Sequence, residues 1–169
     1  MENVNEFLKE KGFVVNDLGQ IGCINKNNNE GKSFFFDIKG ELYWSSCAMS
    51  RWLAPVDYFV VHMDQFACPL EDEIKTMHVL SGGQVDFFGC RSGFVRAHEH
   101  VFDIEKNLSM MIYFSAMFAW NISFVPDSST FGRFLSIRDG VMQLCGDKQT
   151  VEIGVNAVCK SYECRRGKP

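Results

Sequence analysis

Asp103-Ile104-Glu105-Lys106-Asn107-Leu108-Ser109-Met110-Met111-Ile112-Tyr113-Phe114-Ser115-Ala116-Met117-Phe118-Ala119-Trp120 opens polar and turns apolar, and its reading decides the fold. From Asn107 to Pro126 no residue carries a charge. That length approaches the ~20 residues a bilayer requires. Ser109, Ser115, Asn121 and Ser123 interrupt the run, and few basic residues flank it to set an orientation. Asp103 has the side chain to cap a helix over 104–119, whose later turns are apolar all round. A helix of that kind is buried by other elements. The stretch therefore reads as the central buried helix of a globular domain rather than a membrane span.

Working outward, the flanks read mostly as antiparallel sheet. Upstream, Asn3 and Glu6 have capping-box spacing, Val4, Phe7 and Leu8 form an apolar stripe, and Gly12 ends a short helix over 3–11. A meander is expected next, with strands Phe13–Val15, Gln20–Asn25, Ser33–Ile38 and Glu41–Trp44 separated by Asn- and Gly-rich turns. Ser46–Leu53 is a helical turn stopped before Pro55, and Asp57–Met63 an apolar strand. Pro69 starts a helix over 69–81, with Glu71, Asp72 and Glu73 in its first turn and Gly82-Gly83 at its end. Strands are expected at Gln84–Phe88 and Phe94–Phe102. Downstream, Arg138-Asp139-Gly140 joins Phe131–Ile137 to Val141–Cys145 as a hairpin, and Thr150–Lys160 is read as β. Arg165-Arg166-Gly167-Lys168-Pro169 is a loose basic tail. The expected fold is a single α+β domain over 1–169, mostly antiparallel sheet (N-terminal meander plus C-terminal hairpins), packed on the helix near 104–119.

The 169 residues suffice for one core, and 46% apolar with a net charge of −4 excludes intrinsic disorder. A pI near 5.6 argues against nucleic acid as a partner, because phosphate contact relies on a surplus of Lys and Arg. Met1–Glu10 carries three glutamates and no apolar signal region, so a cytoplasmic protein with reduced thiols is expected. Seven cysteines, an odd number, leave at least one unpaired in a monomer, and most are expected to be small buried hydrophobes. Cys159 and Cys164 are too far apart for a CxxC pair, and no second pair completes a zinc site.

No motif specifies a reaction. Gly31-Lys32-Ser33 imitates the end of a phosphate-binding loop, yet Lys26 stands where the loop needs glycine, and Phe34-Phe35-Phe36 follows as strand rather than helix. Seven cysteines and four histidines offer nucleophile–base pairs only in the sense that any such set does. The sharpest chemical feature is His98-Glu99-His100 with Glu105. On a strand the two imidazoles share a face and can bind one divalent metal. His-x-His-x4-Glu resembles the first half of the metal motif of cupin barrels over about eight residues. Cupins draw another histidine from a later strand, whereas no histidine follows His100, so His62 or His78 would have to serve from upstream. Arg96, a poor neighbour for a metal, shares the strand face, and a solvated face accounts for the same residues.

An acidic asymmetry carries the functional expectation. Between Arg51 and Lys75 stand Asp57, Asp64, Glu71, Asp72 and Glu73 with no Lys or Arg, interleaved with Trp52, Tyr58 and Phe66. Acids beside aromatics suit docking to a basic protein, with charge steering the encounter and rings anchoring it. The expected interface is Asp64, Glu71, Asp72 and Glu73, with Trp52 and Tyr58 as anchors. The competing account is that the three acids serve their own helix dipole and the rings serve the core. By elimination the chain is expected to be a non-enzymatic, cofactor-free protein that neutralises a basic partner such as a nuclease toxin. In profile it resembles immunity proteins and mobile-element inhibitors. A metal- or ligand-binding protein using His98, His100 and Glu105 is the alternative. A secretion- or assembly-chaperone-like module, from the order helix, meander, helix, is the second alternative.

Overall fold

A computed structural model describes residues 3–23, 29–34, 41–54, 56–65, 67–96, 103–128 and 133–166. The element order is α1 (Val4–Glu10), β1 (Phe13–Val15), β2 (Ile21–Cys23), β3 (Asn29–Phe34), α2 (Glu41–Leu53), β4 (Tyr58–Met63) and α3 (Glu71–Leu80). There follow β5 (Ser92–Arg96), α4 (Ile104–Met117), β6 (Ile122–Pro126), β7 (Phe134–Arg138), β8 (Val141–Asp147) and α5 (Lys148–Arg166). β1 and β2 form a small hairpin, and the other strands form one six-stranded antiparallel sheet in the order β3-β8-β7-β6-β4-β5. This is the α+β fold expected. Among the described residues it is an open sheet with edge strands β3 and β5, unlike the barrel that a cupin resemblance implies.

Alternation along the strands sends one set of side chains to each face. Phe59, Val61, Met63, Phe124, Leu135, Ile137, Met142 and Leu144 meet the helices in the larger core. Val60, Val125 and Phe134 face the other way and are roofed by Phe7 and Leu8 of α1 and by Phe13 and Ile21 of the hairpin. α4 is the buried helix anticipated, with Asp103 Oδ1 capping Lys106 N at 3.0 Å. Leu108, Met111 and Ile112 are wholly buried, each stabilising the fold by about 1.5–3 kcal/mol. The helix ends at Met117, earlier than 119, because Ala119 takes a left-handed φ of 53° and Trp120 N closes on Ser115 O at 2.8 Å. After the turn at 118–121 the charge-free run ends in β6, buried at every position. Among the described residues no helix is long and apolar enough to cross a membrane. The β7–β8 hairpin turns at Asp139 and Gly140 with φ of 49° and 75°, as the Asp-Gly pair dictates.

Several local expectations are corrected. Glu41–Trp44 opens α2 rather than forming a strand, since Leu42, Ser45, Ser46, Met49, Trp52 and Leu53 recur at helical spacing on its buried side. The meander therefore stops at the β1–β2 hairpin, and β3 pairs instead with β8, from Asn29↔Asp147 to Phe34↔Met142. Thr150–Lys160 lies in α5. Asp147 caps it, accepting from Thr150 N at 3.0 Å and from its hydroxyl at 2.5 Å, and these bonds hold the Asp147 carboxyl below the usual carboxylate range. Val151, Gly154 and Val158 give α5 its inward stripe. Gln84–Phe88 is an irregular strap in which Val85 and Phe87 are buried. Arg165 and Arg166, expected to be loose, belong to α5. The cysteines are less buried than expected: Cys68, Cys90 and Cys159 are exposed, Cys23, Cys47 and Cys145 half-buried, and none of these six is in a disulfide.

Candidate functional site

The six residues expected to form one docking surface separate into different environments. Trp52 is buried on α2, and its indole N–H donates to Thr150 O at 2.9 Å, locking α2 to α5. Asp64 is buried just after β4, and its backbone carbonyl accepts from Arg91 Nη1 at 2.5 Å. Tyr58 lies on the α1 side of the sheet, its ring 5.7 Å from Phe7 and 5.8 Å from Phe94, with the Arg96 guanidinium 4.8 Å above it. These three residues are therefore structural, and Trp52 and Asp64 are withdrawn from the surface.

Glu73 has a divided role. Its Oε2 accepts from Leu70 N at 3.0 Å, closing the first turn of α3, and from Trp120 Nε1 at 2.9 Å, tying the helix to the residue before Asn121 and β6. Glu71 and Asp72 are outside that network, with side chains 71% and 96% exposed. Lys75 bridges Glu71 at 2.7 Å and reaches Asp72 at 3.6 Å. The ammonium holds the Glu71 carboxyl below its usual range and is itself raised by it. So of the four proposed acids, two have solvent-exposed side chains, both within reach of Lys75.

The segment carrying those two has an exposed apolar component the sequence reading missed. Leu70 is 69%, Val79 73% and Phe88 61% exposed, the three most exposed large apolar side chains among the described residues. All three lie in the segment 70–88, which also contains Glu71, Asp72, Glu73 and Asp86 against the single cation Lys75. α3 turns Ile74 and Met77 inward against the helix-side core, so its outer face is left to Asp72, Lys75 and Val79. A departure from helical pattern was available as a signal: Val79 falls outside the stripe set by Ile74 and Met77.

The metal alternative rests largely on residues outside the described ones, His98 and His100. Glu105 is exposed on the first turn of α4, in a cleft of about 250 Å³ with Asp103, Arg51 and Lys106, where two cations offset the two acids. Of the upstream substitutes, His62 Nε2 donates to Gly19 O at 2.8 Å, and His78 Nδ1 pairs with Val85 O at 2.9 Å. Among the described residues no three His, Cys, Asp or Glu side chains gather as a metal site. No protein-family profile, curated protein or solved structure matches the chain.

Proposed function

We propose that this protein is a non-enzymatic binding module that recognises a basic protein through the outer face of α3 and the strap following it, in the manner of an inhibitor or immunity protein. The observation that carries the reading is the coincidence, on one segment, of the three most exposed large apolar side chains with the solvent-facing acids Glu71 and Asp72. Leu70, Val79 and Phe88 cost the free protein hydration and gain by being covered, which favours association. Glu71, Asp72 and Asp86 supply the field that selects a cationic surface and speeds encounter with it. Such a protein works by occluding its partner and needs no reacting group of its own. The exposed thiols of Cys68, Cys90 and Cys159 suit a reducing compartment, in keeping with a cytoplasmic protein.

Capture from a lysate of the source cells tests this, with the native chain and a Glu71→Lys/Asp72→Lys variant as parallel baits. A basic protein retained stoichiometrically by the native bait and lost from the variant supports the proposal. Identical retention by both baits, or no basic protein on either, overturns it.

A further inference from the structure

The opposite side of the sheet holds a second feature, independent of α3. A cavity of about 530 Å³ opens between the β1–β2 hairpin and strands β3, β7 and β8. Its apolar wall includes Ile21 and Phe134, both nearly fully buried. Its polar groups are Arg138 on β7, Gln143 on β8 and the carboxamides of Asn16 and Gln20 at the hairpin turn.

The geometry points to a binding site for a small organic anion, its carboxylate or sulfonate head on Arg138 and Gln143 and its apolar body against Ile21 and Phe134. Donors outnumber acceptors in this cavity. Asn16 Oδ1 is occupied by Leu18 N at 3.0 Å and Gln20 N at 2.9 Å, and Asn16 Nδ2 donates to Gln20 Oε1 at 3.3 Å, so the Gln20 amide hydrogens remain to be donated. Among the described residues none accepts a hydrogen bond from the Arg138 guanidinium or the Gln143 carboxamide, and no carboxylate lines the cavity. A guanidinium beside a carboxamide, without an acid, complements an oxyanion. Burial pushes the Cys145 thiol up to about 12, so it stays neutral and Arg138 supplies the charge of the site. Gly31 keeps the Gln143 amide in place, because a Cβ there would sit 2.7 Å from Gln143 Nε2.

Anilinonaphthalene sulfonate fluorescence on the full chain tests this, with octanoate, octylammonium and inorganic phosphate as competitors. The native protein is expected to bind the dye saturably at one site, with octanoate displacing it better than octylammonium or phosphate. Arg138→Gln should weaken binding about tenfold, the worth of one charge-assisted contact, while Arg138→Lys stays closer to native. Thermal unfolding reports whether each variant folds. NMR of the native chain needs no variant: amide shifts induced by octanoate should centre on β2, β7 and β8. Absence of saturable binding, equal displacement by octylammonium or by phosphate, native affinity in folded Arg138→Gln, or shifts centred elsewhere each overturns the assignment.

Discussion

Replacing Glu73 by alanine removes one carboxylate that serves two elements, and the consequence can be worked from its contacts. Oε2 accepts from Leu70 N at 3.0 Å and from Trp120 Nε1 at 2.9 Å, and Trp120 is 2% exposed. Without Glu73 the indole N–H becomes a donor with no acceptor in an aromatic cluster that includes Phe87 and Phe118. Hydrogen bonds to charged groups contribute roughly 1.5–3 kcal/mol and a lost helix cap costs about 1 kcal/mol. Because Glu73 is only half-buried, solvent recovers part of this, leaving a loss of about 2–3 kcal/mol. For a chain of this size that lowers Tm by about 5–10 °C. Glu73→Gln, which keeps an acceptor, should recover about half of the loss. Glu71→Gln and Asp72→Asn should melt with the native protein, since both side chains lie in solvent. The assay is calorimetry near neutral pH, with urea midpoints as a check that the slope of unfolding is unchanged. A Glu73→Ala melt indistinguishable from native, or equal losses at all three acids, would refute the division of roles.

Three further outcomes follow from the packing. Burial holds the His62 imidazole below its ordinary value of about 6.5, against the opposing Gly19 hydrogen bond and Asp64 charge. The unfolded chain then binds the proton more readily, so stability is intact above about pH 6.5 and falls as pH drops through the folded pKa. His62→Gln should flatten that part of the Tm profile, and an unchanged profile would contradict it. Gly154→Ala adds a Cβ 2.7 Å from Leu144 Cδ1 and 2.9 Å from Trp52 Nε1. Its overpacking cost of about 1–3 kcal/mol exceeds the helix-propensity gain of about 1 kcal/mol, so denaturant titration should show a loss, and a gain would place α5 elsewhere. Finally, iodoacetamide at pH 8 should modify Cys68, Cys90 and Cys159 well before Cys145, whose thiol is half-buried and raised to about 12. Peptide mapping that finds Cys145 labelled as fast as Cys90 would refute its environment.

What was legible in the sequence was what local chemistry decides. Asp103 before a polar-then-apolar run gave α4, Asp139-Gly140 gave the β7–β8 turn, and Pro69 with three acids gave α3. The misreadings came where composition and periodicity disagree. Thr150, Val151, Ile153 and Val155 favour a strand by residue type, yet the Asp147 cap and the spacing of Val151, Gly154 and Val158 favour the helix that packing selects. Tyr43 and Trp44 misled in the same way at the start of α2. The pairing of β3 with β8 joins residues more than a hundred positions apart and has no local signature. At the candidate site, sequence gave the acids but not their allegiance. Glu73 is adjacent to Asp72, and beyond its local bond to Leu70 N it is the arrival of Trp120 from a distant part of the chain that ties it into the core.

The central claim is that Glu71 and Asp72 steer a basic partner onto α3. It is tested most directly by stopped-flow association of the captured partner with the native protein and with Glu71→Lys/Asp72→Lys across a range of ionic strength. The account predicts slower association of the variant at low salt and a gap that closes as salt screens the charges, with the melt of each protein showing that both are folded at the assay temperature. Superimposable association rates at every ionic strength would contradict it.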